Sequence, residues 1–150
     1  LVSALLGIDN ITAIETLIKL SSDKLSHIRN WATFGLGTQI QRNNKNIREA
    51  LWGRVNDKHQ ETKLEAIVGL AKRKDKRVND IIRREIIHNE YGTLLFEAII
   101  ETQEKDFLPL LKQNLTSINC DKTINPEWEK DLKNCIYELT ELTSEKRTIA

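Results

Sequence analysis

The stretch Asp23-Lys24-Leu25-Ser26-His27-Ile28-Arg29-Asn30-Trp31-Ala32-Thr33-Phe34-Gly35-Leu36-Gly37 decides how this chain folds, because its pattern returns thirty-four residues later. The second copy is Asp57-Lys58-His59-Gln60-Glu61-Thr62-Lys63-Leu64-Glu65-Ala66-Ile67-Val68-Gly69-Leu70-Ala71. Each begins with an Asp and carries a base six residues on (Arg29, Lys63). Each then places Ala at Ala32 or Ala66 and a Gly-Leu pair at Gly35-Leu36 or Gly69-Leu70. A helical unit recurring every 30 to 45 residues or so is the signature of an α-solenoid, whose helix pairs stack because none can bury its apolar face alone.

Apolar spacing extends the pattern in both directions. Ala13, Ile14, Leu17, Ile18 and Leu20 recur at helical intervals, and Ser21-Ser22-Asp23 breaks them before Ile28, Ala32 and Leu36. Ile47, Leu51 and Val55 precede a turn at Asn56-Asp57. Val78, Ile82 and Ile86 precede a predicted turn at His88-Asn89-Glu90, after which Leu94, Leu95, Ala98 and Ile99 follow. Asp106 is read as a helix N-cap with Pro109 in the first turn, and Asn125-Pro126-Glu127 as a stronger start. Trp128, Leu132, Cys135, Ile136, Leu139 and Leu142 then form one stripe. The spacing predicts helices over 12–20, 27–37, 45–55, 61–71, 77–88, 91–102, 106–116 and 126–142. The fold class is all-α, about four antiparallel helix pairs (12–37, 45–71, 77–102, 106–142) in a single domain. Residues 1–7 echo the ending of the first copy and are read as the end of an incomplete unit, and 143–150 as a tail that frays from Ser144.

Small residues carry a packing expectation. Ala32, Ala66 and Ala98 admit close helices. Gly35 and Gly69 should each cost a helix about 0.5–1 kcal/mol relative to Ala, which a neighbour lying hard against the backbone would offset.

The pattern Asp-x5-Arg-x2-Ala-x3-Leu-Gly, met by Asp23, Arg29, Ala32, Leu36 and Gly37, resembles a HEAT-like repeat of the type found in phycobilisome lyases. The second copy departs from it with Lys63 for Arg and Ala71 for the last Gly. Arg29 to Gly37, Arg48-Glu49-Ala50-Leu51 and Gly69 to Val78 resemble small bacterial HEAT-repeat proteins, over residues 12–100. The resemblance implies a HEAT-like superhelix in which the turn Asp and the second-helix base tie adjacent units, and it is nearly silent on function.

Catalytic signatures are weak. His27, His59 and His88 share no metal-ligand spacing, and no metal or cofactor is expected. Cys135 sits on an apolar stripe and Cys120 in a loop, with neither in a redox spacing. No phosphate loop, nucleophile elbow or paired-carboxylate motif appears, and a non-enzymatic role is expected. No apolar run approaches the ~20 residues of a membrane helix, and no signal peptide is visible. A reduced, cytoplasmic protein is the expectation.

Charge is more telling. Residues 1–84 carry sixteen Lys/Arg against nine Asp/Glu, and residues 85–150 carry seven against thirteen, so the overall +1 conceals opposed halves. Lys72, Arg73, Lys74, Lys76, Arg77, Arg83 and Arg84 form a basic cluster able in principle to hold phosphates, although a solvated loop outweighs that reading. Trp31, Glu65 and Glu97 share one repeat position, immediately before the aligned Ala. With Asn30, Phe34, Arg48, Trp52 and Arg54 they form the candidate partner-binding set, an aromatic anchor rimmed by both charge signs. The expected function is a non-catalytic scaffold that binds a protein or peptide through its inner helix face. Nucleic-acid binding of the HEAT-like DNA glycosylase type is the first alternative, and a lyase or chaperone-like subunit the second.

Overall fold

Helix starts follow the capping chemistry of the loops. The computed structural model describes residues 2–88, 91–118 and 125–148, among which the regular elements are helical and none is a strand. In chain order they are α1 (Ile11–Leu20), α2 (Ser26–Phe34), α3 (Lys45–Trp52), α4 (Gln60–Lys72), α5 (Val78–Ile87), α6 (Thr93–Thr102), α7 (Leu108–Ile118) and α8 (Pro126–Thr148). Asn10 accepts from the Ala13 amide at 2.8 Å and Asn44 from the Ile47 amide at 2.9 Å, satisfying donors that a helix start leaves free. The two turn aspartates act alike. Asp23 Oδ1 accepts from the Leu25 amide, and Asp57 Oδ1 from the His59 amide, both at 2.9 Å.

Departures from the expected boundaries have local causes. α2 is α-helical only to Phe34, and Gly35–Gln39 continue as a π-helical turn in which the Ile40 amide donates to Gly35 O at 3.0 Å. Asp106 does not cap α7; it lies inside a 3-10 turn, Lys105–Phe107, that leads into that helix. Asn125 does cap, with its Oδ1 accepting from the Glu127 amide at 2.9 Å. α8 runs on to Thr148, past the predicted end at 142. Val2–Leu5 form a 3-10 turn where the end of a helix was expected. Ile28, predicted inward, is only half-buried. Asn89, Glu90 and Cys120 lie outside the described residues.

The sequence reads as a single domain, whereas the chain folds as two compact units, Leu1–Val78 and Asn79–Ala150. In the first, α1 packs on α2 and α3, and α4 packs on α2 and α3. First helices thus lie together, and so do second helices. Leu17, Leu36, Ile47, Leu51, Ile67 and Leu70 fill the core. The second helices meet backbone to backbone: a Cβ on Gly69 would come within 2.5 Å of Gly37 Cα, and one on Gly37 within 3.0 Å of Glu65 O. Only glycine at both positions allows this approach. Between the two pairs, Arg29 Nε and Nη2 each donate to a carboxylate oxygen of Asp57 at 2.9 Å, while Arg29 Nη1 donates to Asp23 O. The Arg29 guanidinium holds the Asp57 carboxyl below its ordinary range.

In the second unit α8 packs on α6 and α7. Tyr91, Phe96 and Trp128 meet edge to face or tilted, with centroids 5.3–6.0 Å apart. The Trp128 indole N–H donates to Tyr91 O. Asn114 Nδ2 donates to Tyr91 OH at 2.8 Å and to Ile86 O at 3.1 Å, and burial pushes the Tyr91 hydroxyl up to about 12. No described helix is long and apolar enough to cross a membrane.

Candidate functional site

Lys72 to Arg84 read as a run of exposed bases, but its best-placed members are committed elsewhere. Arg73, just beyond α4, is 8% exposed. Its Nη2 donates to Leu36 O at 2.7 Å, Ile40 O at 2.6 Å and Arg42 O at 3.1 Å. Its Nη1 donates to Gly37 O at 3.0 Å and Gly69 O at 2.9 Å, and its Nε to Arg42 O at 3.2 Å. The carbonyls that end α2 and its π turn would otherwise be orphaned, and the planar guanidinium fork satisfies them from one point. Burial, with a smaller contribution from the charge of Arg48, lowers its pKa from the ordinary guanidinium value. Arg73 is a structural residue of the first unit.

Arg77 is held too. Its guanidinium pairs with Asp75 at 2.7 Å and Glu49 at 3.0 Å and lies 4.8 Å from the centre of the Trp52 ring. Arg83, in the second unit, pairs with Asp80 at 2.7 Å and covers the buried Phe107 ring. Arg84, Lys74 and Lys76 are exposed and Lys72 half-buried.

The aromatic anchor reaches the surface. Trp31 on α2 is 49% exposed and meets Phe34 edge-on at 5.9 Å, one turn along the same helix. Asn30, Trp31, Phe34 and Glu65 line a shallow groove of about 220 Å³ between α2 and α4. Asn30 fixes one wall by donating to Glu61 Oε2 at 3.1 Å. Thr38 Oγ1 reaches Glu65 Oε2 at 3.5 Å on the other side. The remaining members of the predicted set lie elsewhere. Trp52 ends α3, a first helix, and is covered by Arg77; Arg48 donates to Asn43 Oδ1 at 3.3 Å. Arg54 donates to Asp57 Oδ2 at 3.3 Å and lines a loop cavity with Arg29 and Lys58, its Nε buried without a partner. Arg48, Trp52 and Arg54 therefore border no part of the Trp31 groove.

Glu97 belongs to the second unit. There it lines a groove of about 330 Å³ between α6 and α8. Phe96, Ile100 and Cys135 supply its apolar surface, and Glu97, Glu101, Asp131 and Glu138 its charge. The Cys135 thiol is buried, which pushes it up to about 12, too high for a nucleophile at neutral pH. The sequence reading found Glu97 through the repeat but missed the rest of this groove. The available signal was the spacing of Glu97 with Glu101 and of Asp131 with Glu138, one and two turns along their helices.

Among known proteins the chain is similar to YibA of Escherichia coli K12, with 32% identity over 123 residues, which are 82% of this chain and 44% of that protein. YibA of Escherichia coli O157:H7 gives the same values. An X-ray structure of Escherichia coli YibA matches with a TM-score of 0.71 and 32% identity, over 87% of this chain and 44% of that one. The chain thus spans less than half the length of these relatives. No family model matches it.

Proposed function

We propose that the chain is a HEAT-like α-solenoid, cytoplasmic and non-catalytic, whose second helices present a groove for a protein or peptide partner. The glycine contact of Gly37 with Gly69 and the Arg29–Asp57 tie between successive helix pairs support the repeat reading. One observation carries the binding reading. A half-exposed Trp31 stands beside Phe34, Asn30 and Glu65 although the core could have enclosed it. An exposed tryptophan with adaptable polar neighbours is the usual composition of a hot spot. A partner would lay an apolar side chain on the Trp31–Phe34 edge and a donor on Glu65.

The nucleic-acid alternative draws less support, since Arg73 and Arg77 spend their donors within the fold. A lyase or chaperone-like role has no residue of its own in its favour.

Partners recovered on immobilised wild-type chain should bind Trp31→Ala at least about tenfold more weakly, because hot-spot truncation costs ~2 kcal/mol or more. The urea midpoint should stay within error of wild type. Equal binding by the variant, or a midpoint that collapses with it, would remove the groove from the interface.

A further inference from the structure

We infer that the groove between α6 and α8 is a second docking site, built for a basic amphipathic helical segment of a partner protein. The inference goes beyond the Trp31 reading and does not depend on it, because the groove lies wholly within the second unit. Its lining residues are uncharged or acidic, with no Lys or Arg among them. Phe96 and Ile100 lie one turn apart on α6, and Cys135 faces them from α8. Glu97 and Glu101 repeat at the same one-turn spacing on α6, and Asp131 and Glu138 flank the other side. The result is an apolar strip between two acidic margins.

The geometry selects the occupant. The α6 stripe from Thr93 to Glu101 runs about 12 Å, roughly two helical turns. A helical segment with two apolar residues one turn apart would fill the strip. Its Lys or Arg residues, at the flanking positions, would meet the four carboxylates. Complementary charge steers such a partner and fixes its register. The surrounding sequence favours the same sign, since residues 85–150 carry thirteen Asp/Glu against seven Lys/Arg. An acidic partner helix would be repelled, and a purely apolar one would leave the carboxylates desolvated without partners.

The test uses the intact chain and a labelled helical Leu/Lys peptide of about four turns, with a Leu/Glu peptide of the same pattern as control. Fluorescence anisotropy gives Kd, and amide chemical shifts place the contact. Shifts confined to α6 and α8 are expected, with no saturable binding of the Leu/Glu peptide. Glu97→Lys/Glu101→Lys should weaken binding by at least about tenfold, as loss of close charge pairs does. Asp131→Asn/Glu138→Gln, a milder pair that keeps side-chain volume, should weaken it severalfold and guards against a charge reversal that unfolds the unit. Glu127→Lys, outside the groove, should leave Kd unchanged, and so should Trp31→Ala, which separates failure here from failure of the Trp31 reading. Equal affinity for both peptides, shifts centred on α1–α4, or indifference to both acidic pairs would overturn the proposal. So would a dimer at low salt that dissociates in Glu97→Lys/Glu101→Lys, which would give the groove to a second copy.

Discussion

In the first unit the second helices touch through bare backbone, Gly37 against Gly69, and the carbonyls at the end of α2 and its π turn are gathered by one buried arginine. In the second unit the helices meet through rings, with Tyr91, Phe96 and Trp128 in mutual contact and Phe107 enclosed. The first unit exposes its Trp31–Phe34 pair, whereas the second encloses most of its aromatic surface and offers an acidic margin instead. The difference lies in what can be copied. Backbone contacts demand a fixed residue at a fixed place, so Asp, Gly and Ala persist between the two copies. A ring cluster fills volume and tolerates other solutions. The periodicity therefore fades where rings take over the packing.

The sharpest way to break the first arrangement is to remove Arg73. Alanine there would strip six hydrogen bonds from five carbonyls and leave several of them buried without donors. Each unsatisfied group costs about 1–3 kcal/mol, so with partial rehydration a loss of about 4 kcal/mol or more is expected. Lysine should rescue little, because a point ammonium cannot reproduce the fork. Urea denaturation followed by circular dichroism gives the loss. Hydrogen exchange should show it concentrated in α2 and α4, with α8 keeping its protection. Uniform loss across both units, or an unchanged midpoint, would show that the carbonyl cage does not hold the first unit together.

Arg73 also shows where sequence reading stops. All eight helices were legible, because helices need only apolar spacing and punctuation, and Asn44 or Asn125 state their starts openly. The glycine expectation was legible too, since a glycine inside a helix must be offset by something. By contrast, Arg73 sits in a basic run whose composition says solvent. Only the three-dimensional convergence of carbonyls from residues 36 to 42 and from Gly69 makes it interior. Likewise Arg48, Arg54 and Trp52 are near Trp31 in repeat register, yet helix phase and the Arg77 cation direct them elsewhere. The groove of α6 and α8 was half legible: the acidic spacings are in the sequence, but which two helices lie side by side is not.

A smaller effect is expected at the tie between successive pairs. Asp57 is 4% exposed and accepts both bonds of the Arg29 fork. Asp57→Asn should cost about 2–3 kcal/mol near neutrality, toward the lower side of what breaking a buried pair costs, because Arg29 keeps some contact with water. The pH dependence gives a second signature. The folded carboxyl titrates below its ordinary value of 3.8, so below that value the unfolded chain binds the proton first. Stability from this pair is therefore present above about pH 4 and is lost as pH falls through the depressed folded value. Wild type should lose its advantage over the Asn variant there. A constant difference between the two down to pH 2, measured by urea midpoints, would show that the charge of Asp57 is not what matters.

The smallest and most discriminating effect comes from two glycines at one repeat position. Gly35 and Gly69 are equivalent in sequence, yet a Cβ would meet different neighbours. At Gly69 it would approach the Gly37 backbone to 2.5 Å and the Leu51 side chain to 3.0 Å. Backbone cannot step aside, so Gly69→Ala should cost about 1–3 kcal/mol through overpacking, exceeding the 0.5–1 kcal/mol that alanine gains in a helix. At Gly35 the nearest atoms are the ends of Leu6 and Leu17, at 2.9 and 3.3 Å. Those side chains can rotate or shift, and the helix gain then roughly offsets the crowding. Gly35→Ala should thus stay within about 0.5 kcal/mol of wild type, an ordinary value for a change with no single large cause. Thermal unfolding of the two variants side by side resolves the pair. Equal losses would mean that the repeat position itself, rather than the backbone contact with Gly37, demands glycine.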